Sequence, residues 1–280
     1  MNLDFVRSFV VFSEHLNFTH AAKQLHLSQP SLHTQIKRLG EEVGSPLYLR
    51  SGRRLVLTET GEQIAAFGRE LKERETQLIA KLRGESAPVP FCISGGNGGL
   101  RYLLGPALKA CKKNRLELRI RARSSPLALQ DLRQGLSHLA VVATQERPSE
   151  LETRVLGKFR QLAVLPKKHP LALKGSLSAR ELAKETLIVG PAESAHRQAL
   201  VQAIGTAEPL RVAVEARGWD LMIYFTQQRL GVAVVNEFVG VPSGLVGIPI
   251  KDIPPISYWL AWRRETSHPG LKTFIRALPT

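Results

Sequence analysis

Cysteine is scarce in this 280-residue chain: Cys92 and Cys111 are the whole supply, and their spacing suits neither a metal nor a dithiol. That excludes a disulfide scaffold and fits a reducing cytoplasm. No stretch approaches the ~20 apolar residues of a membrane helix, so no membrane partner is expected. Asp4, Arg7 and Glu14 interrupt any signal-like apolar core at the start, so a soluble, cytoplasmic protein is expected. Acidic residues are the minority, 24 against 39 basic, for a net charge of +15. Such a balance favours polyanions: nucleic acid, acidic membrane surfaces or anionic small molecules. A nucleophile elbow, a zinc-type histidine pair, a P-loop and a dinucleotide glycine fingerprint are all missing. No enzyme, cofactor or metal site is therefore expected.

What is present begins at residues 19–39. Ala21, Ala22 and Leu25 mark the buried side of one short helix, and Leu27 covers a turn. Ser28 is a good N-cap, and Pro30 falls in the first turn, where its missing N–H costs little. Leu32, Ile36 and Leu39 then recur at helical spacing, leaving Gln29, Ser31, His33, Thr34, Gln35, Lys37 and Arg38 on the other face. A helix with so many hydrogen-bond donors on its free face suits a major groove. The alternative is an ordinary helical hairpin with a solvated polar face. The flanks argue against it. Leu3, Val6, Phe9 and Val10 give a preceding helix, and residues 45–57 read as two strands around a basic turn carrying Arg50, Arg53 and Arg54. A basic hairpin beside a recognition helix is a wing that can reach phosphates or a narrow minor groove.

Residues 58–83 turn helical again, with Thr58 or Thr60 as cap. Ile64, Leu71 and Leu78 fall seven apart with Phe67 between, a partial heptad seam that predicts helix–helix dimerisation. Gly84–Pro90 reads as a linker. Beyond it strands and helices alternate. Strands are expected near 91–94, 116–122, 139–143, 162–165, 187–189, 210–216, 232–235 and 256–262, and helices near 100–113, 126–136, 178–184, 194–204, 219–229 and 267–278. This predicts α/β architecture with mostly parallel sheets. The strands near 92, 117 and 141 are spaced like those near 188, 213 and 233, which suggests two lobes with a cleft between them. The charge is uneven: residues 1–83 carry +3 and the remainder +12.

Phe18–Ala22, Leu27–Leu32, Gln35–Leu39, Pro46–Arg50 and Leu57–Gly61 together resemble the LysR-type transcriptional regulators. The match is specific over residues 1–65 and weaker beyond. It implies an N-terminal winged helix-turn-helix over 1–58, a linker and dimerisation helix over 59–87, and a periplasmic-binding-protein-like effector domain over 88–280. Lobe I would hold about 88–160 and 256–280, and lobe II about 161–255. It further implies a homodimer or homotetramer on double-stranded DNA, RNA polymerase as a downstream partner, and control by a small-molecule effector. Two departures concern DNA: the family commonly has Ser-Arg at His33-Thr34 and Glu at Gly40. A third, Ser137-His138 where Leu-Asp or Ile-Asp is frequent, has no role that the sequence assigns.

For DNA the candidates are Gln29, Ser31 and Gln35 on base edges, Pro30 on a thymine methyl, Thr19, Thr34, Lys37 and Arg38 around phosphates, and Ser28 at the helix start. Arg53 is the wing candidate for the minor groove. For the effector they are Ser94, Asn97 and Gly98 at one strand-to-helix junction, Ser194, His196 and Arg197 at another, and Trp219 as a wall. Helix starts favour anions, and Arg101 and Arg197 add cationic charge. The plainer readings are turn glycines, a solvated helix start and a core tryptophan. For the two cysteines, buried structural thiols are the plainer reading than a redox sensor.

Overall fold

The structure is a computed structural model that describes residues 1–83, 89–205 and 210–278. Of the expected linker, residues 84–88 lie outside these. The chain divides into two compact units: Met1–Cys92 with Leu116–Arg119 and Gln130–His138, and Ile93–Arg115 with Ile120–Leu129 and Leu139–Thr280.

In the first unit α1 (Leu3–His15), α2 (Phe18–Gln24) and α3 (Gln29–Val43) close around Val6, Phe9, Phe12, Ala21, Ala22, Leu32, Ile36, Leu39 and Leu47. Each helix starts on a side-chain cap. Asn2 accepts from Asp4 and Phe5, Asn17 from His20, and Ser28 from Ser31, with Pro30 in the first turn of α3. The strands β1 (Tyr48–Ser51) and β2 (Arg54–Leu57) pair antiparallel as the wing. Thr58 then starts α4 (Glu59–Leu82): its hydroxyl accepts from the Gly61 N–H at 2.9 Å and donates to Pro46 O at 2.7 Å.

One face of α4 packs on α1 through small residues, with Gly68 against Val6 and Val10. Ile64 joins the three-helix core, and Leu71 is half-buried. Phe67, Leu78, Ile79 and Leu82 remain exposed. The heptad seam is thus split between the chain's own core and its surface.

His138 acquires a structural role. Cys92 N–H donates to its Nδ1 at 2.9 Å, so its Nε2 carries the proton toward Glu73 Oε2, also 2.9 Å away. The ring stacks on Phe91. A carboxylate at position 138 would face Glu73 instead.

The second unit is built on two five-stranded sheets, of which only Phe91–Cys92 and Leu118–Arg119 fall in the first unit. Its strands are β3 (Phe91–Gly95), β4 (Leu118–Ala122), β5 (Leu139–Thr144), β6 (Glu152–Phe159), β7 (Gln161–Pro166), β8 (Thr186–Val189), β9 (Arg211–Glu215), β10 (Val232–Asn236), β11 (Leu245–Pro249) and β12 (Ile256–Trp262). One sheet runs β4-β3-β5-β12-β6, the other β11-β7-β10-β8-β9. The echo in strand spacing is real: β4-β3-β5 and β9-β8-β10 share one local order. The helices are α5 (Gly105–Lys113), α6 (Ser125–Arg133), α7 (Ala179–Ala183), α8 (Ala195–Ile204), α9 (Trp219–Gln227) and α10 (Pro269–Arg276). Gly99–Leu103, ahead of α5, is a turn of π-helix.

Two expectations need correction. The sheets are mixed, because β12 runs antiparallel to β5 and β6, and β7 antiparallel to β10 and β11. The strands β6 and β11 were not expected at all. Gly157 and the charges Arg154 and Lys158 obscure the first, and Gly247 and Pro249 the second. These strands flank the two places where the chain passes from one sheet to the other. Central strands are apolar on both faces: Leu187 and Val234 enter one core with Leu182 and Leu200, while Ile188 and Val235 enter another with Met222 and Ile223. Among the described residues no helix is long and apolar enough to cross a membrane.

Candidate functional site

The first candidate surface is α3 with the wing. Leu32, Ile36 and Leu39 are at most 1% exposed, and the opposite face presents Gln29, Pro30, Ser31, His33, Thr34, Lys37 and Arg38 to solvent. Their freedom differs. Ser28 is exposed, but its hydroxyl caps the helix by accepting from Ser31 N–H at 3.2 Å. Thr34 donates back to Pro30 O at 2.9 Å, and Thr19 donates to Gln29 Oε1 at 3.3 Å. Lys37 faces Glu41 at 3.7 Å, an exposed pair that water screens. Gln35 is half-buried, with Oε1 turned inward and unpartnered among the described residues. Arg53 and Arg54 stand exposed at the hairpin, whose turn residue Gly52 has φ +61°. His33, the departure from the family pattern, packs on Phe18 and lies 3.4 Å from the Tyr48 hydroxyl. It ties α3 to α2 and β1.

The second candidate is a cavity of about 440 Å³ within the second unit. Strand ends and helix starts build it: the Gly96–Gly99 loop after β3, Arg123–Leu127 at the start of α6, Gly190–His196 between β8 and α8, and Ala216–Trp219 between β9 and α9. Val141, Met222, Val234 and Tyr258 complete it. Asn97, Gly98, Ser194, His196 and Trp219 line it together. Ser94 and Arg197 do not. Ser94 is fully buried in β3. Arg197 is half-buried on α8, its pKa lowered by burial, and its Nη1 meets no partner among the described residues. Arg101 is also spent elsewhere, paired with Asp220.

Gly98 lies against the Trp219 ring so closely that a Cβ there would meet Cζ3 at 2.2 Å. The glycine permits that approach, which turn geometry alone would not require. Trp219 in turn packs edge-on to His196 and Phe238. Ser194 caps α8 by accepting from Arg197 N–H at 3.2 Å. Burial lowers the His196 pKa to about 4, against a weaker opposing hydrogen bond with Asn236, so the ring is neutral near pH 7. The cationic lining comes from two arginines that sequence reasoning missed, Arg123 and Arg217, the latter held by Glu193 at 2.7 Å. Ser125 was missed too; its hydroxyl accepts from Ala143 N–H at 2.9 Å. The run Arg123-Ser-Ser-Pro126 after a strand is a helix-start signal that could have found it. The thiols stand apart from the cavity: Cys111 is fully buried, and burial pushes its pKa up.

Comparison with known proteins gives the same two parts. Residues 3–62 match the family described as bacterial regulatory helix-turn-helix protein, lysR family. Residues 92–280 match the LysR substrate binding domain. The chain is 26% identical to the RuBisCO operon transcriptional regulator of Allochromatium vinosum, over 92% of this chain and 89% of that protein. It is 26% identical to the Hca operon transcriptional activator HcaR of Escherichia coli K12, over 98% and 96%. In fold it is similar to a single-site variant of full-length OxyR from Pseudomonas aeruginosa, with a TM-score of 0.69 at 20% identity over 99% and 94% of the two chains. It is also similar to full-length LysG from Corynebacterium glutamicum with bound effector Arg, with a TM-score of 0.66 at 20% identity over 99% and 96%. The chain belongs to the LysR family of DNA-binding transcriptional regulators with an effector-binding domain, and it is not an enzyme.

Proposed function

We propose that this regulator reads operator DNA with the free face of α3 and the wing, and responds to a small anion in the cavity of Asn97, Ser125, Ser194, His196 and Trp219. The division is a DNA-binding part over 1–58, a linker and dimerisation segment over 59–87 that begins with the helix Glu59–Leu82, and an effector domain over 88–280. The observation that carries the DNA reading is α3: exposed donors and acceptors backed by a fully buried Leu32, Ile36 and Leu39. Gln29 and Ser31 read base edges and Pro30 meets a thymine methyl. Thr19, Thr34, Lys37 and Arg38 hold phosphates, and Arg53 reaches the minor groove. Gln35 has to turn outward to take part. Gln29→Ala is expected to cost about 1–3 kcal/mol and to relax preference at one base position. Lys37→Ala should weaken all sequences alike and reduce the salt slope by about one. Electrophoretic retention across a salt series measures both, and two variants that bind like the parent would refute the assignment.

An anionic effector is supported by three helix starts, those of α6, α8 and α9, at one cavity lined also by Arg123 and Arg217. The exposed apolar residues Phe67, Leu78, Ile79 and Leu82 on α4 support assembly as a homodimer or dimer of dimers. Leu78→Asp would set a charge in that seam, and sedimentation should then show smaller species. An unchanged oligomer would move the contact elsewhere. RNA polymerase is the expected downstream partner, in the cytoplasm.

A further inference from the structure

The loops that line the cavity continue into contacts that join one sheet to the other. Gly98 and Gly99 follow β3 of one sheet, Gly218 and Trp219 follow β9 of the other, and all four line the cavity. Immediately beyond them the two stretches meet. The Arg101 guanidinium is paired with the Asp220 carboxylate, and the Tyr102 hydroxyl donates to the other oxygen of that carboxylate at 3.3 Å. Arg101 also lies over the Tyr102 ring, 5.3 Å from its centroid. Tyr102 packs on Trp219 and Phe238, with ring centroids 6.1 and 5.5 Å away.

Local structure explains why two neighbours reach one carboxylate. Gly99–Leu103 is a turn of π-helix, whose i→i+5 hydrogen bonds make it wider than an α-helix, so successive side chains diverge less. Such turns are rare and recur at functional sites. Asp220 sits in the first turn of α9, where the helix end favours an anion. Arg217 does not compete for it, because Glu193 holds that guanidinium at 2.7 Å. Arg101, Tyr102 and Asp220 line a second pocket of about 440 Å³, which shares Gly98 and Trp219 with the cavity. The close approach of Gly98 to the Trp219 ring is thus a wall between the cavity and a pocket open to solvent.

This closure has two unlike halves. Tyr102, Trp219 and Phe238 are half-buried and pack without direction. The Arg101–Asp220 side chains are 61% and 59% exposed, so the pair holds weakly and salt screens it. We propose that Gly99–Leu103 and the start of α9 form a latch across the cavity, that the effector enters and leaves when the latch opens, and that rising ionic strength loosens it. The entry role rests on the reading of the cavity as the effector site. The latch itself rests on the contacts alone.

The test is hydrogen exchange followed by mass spectrometry on the full chain, with no ligand added, in peptides covering residues 97–104 and 217–224. In the parent both should exchange about threefold faster at about 0.5 M than at about 0.05 M sodium chloride, while a peptide covering β10 does not change. Arg101→Gln leaves the sequence of α9 unaltered, yet should speed exchange in 217–224 about threefold at low salt and abolish its salt dependence. Asp220→Asn should do the same in 97–104. The two changes together should add little to either alone, because they remove one interaction. Acceleration confined to the peptide that carries the substitution would overturn the latch, and so would exchange in the parent that is indifferent to salt. The parent's salt series decides the matter even if a variant does not fold. No calorimetric response to benzoate or to inorganic phosphate would overturn the anionic effector and the entry role with it, while the exchange result would still judge the latch.

Discussion

Alanine in place of Gly61 is expected to lower the melting temperature by roughly 10–20 °C, following a loss of about 3 kcal/mol. Gly61 sits in the first turn of α4, where its N–H is bonded to the Thr58 hydroxyl. A Cβ at this position would lie 1.9 Å from Leu47 O and 2.9 Å from Leu47 C. These are backbone atoms, so no rotamer change relieves the overlap. Leu47 is 2% exposed and accepts from Thr58 N–H at 3.1 Å, so the helix start and the approach to β1 are locked to one another. Either the helix start or the wing must move, and the core around Leu47 opens. Gly105 is the control: it begins α5 with nothing among the described residues within 4 Å of its Cβ position, so Gly105→Ala should be neutral or slightly stabilising. Scanning calorimetry on the three proteins measures the effect. A Gly61→Ala variant melting within about 2 °C of the parent would show that the contact is soft.

The same glycine shows why the N-terminal unit was legible. Its helices announce themselves locally: Ser28 and Pro30 at a start, Leu32, Ile36 and Leu39 at one spacing, and Ser51-Gly52 in the turn. Each signal lies within a few residues of what it specifies. The α/β part was legible wherever a strand is apolar on both faces, as at Leu187–Val189 and Val232–Val235. It was hidden at β6 and β11, where glycine, proline and charge interrupt the pattern.

The cavity was half legible, for a geometric reason. Proximity in sequence to a glycine loop does not fix direction. Successive side chains of a strand point to opposite faces, and in β3 that turns Ser94 into the core. Along α8 each residue turns by about 100°, so His196 faces the cavity while its neighbour Arg197 does not. Asn236 and Tyr258 lie 40 and 62 residues from His196 and meet it only once both sheets have formed. No spacing rule brings such residues together.

Acidification should destabilise this chain through His196, by up to about 3 kcal/mol. In the folded chain the ring titrates at about 4, because burial disfavours the imidazolium and the Asn236 hydrogen bond only partly offsets that. Unfolded, the same ring titrates near its ordinary value of about 6.5. Between these values the unfolded chain takes up a proton that the folded chain refuses, so a falling pH favours unfolding. The stability is complete above about pH 6.5, declines below it, and is gone once the pH falls through about 4. The ring's access to the cavity admits water, which makes the figure an upper bound. Carboxylates titrate over part of the same window, so the measurement is a difference. Urea unfolding of the parent and of His196→Gln, followed by tryptophan fluorescence at pH 7 and pH 4.5, isolates the histidine. All three tryptophans, Trp219, Trp259 and Trp262, belong to the unit that holds His196. The parent should lose about 2 kcal/mol more than the variant over that interval. Equal losses would mean that the folded ring accepts a proton as readily as the unfolded one, and the neutral imidazole beside Tyr258 would have to be given up.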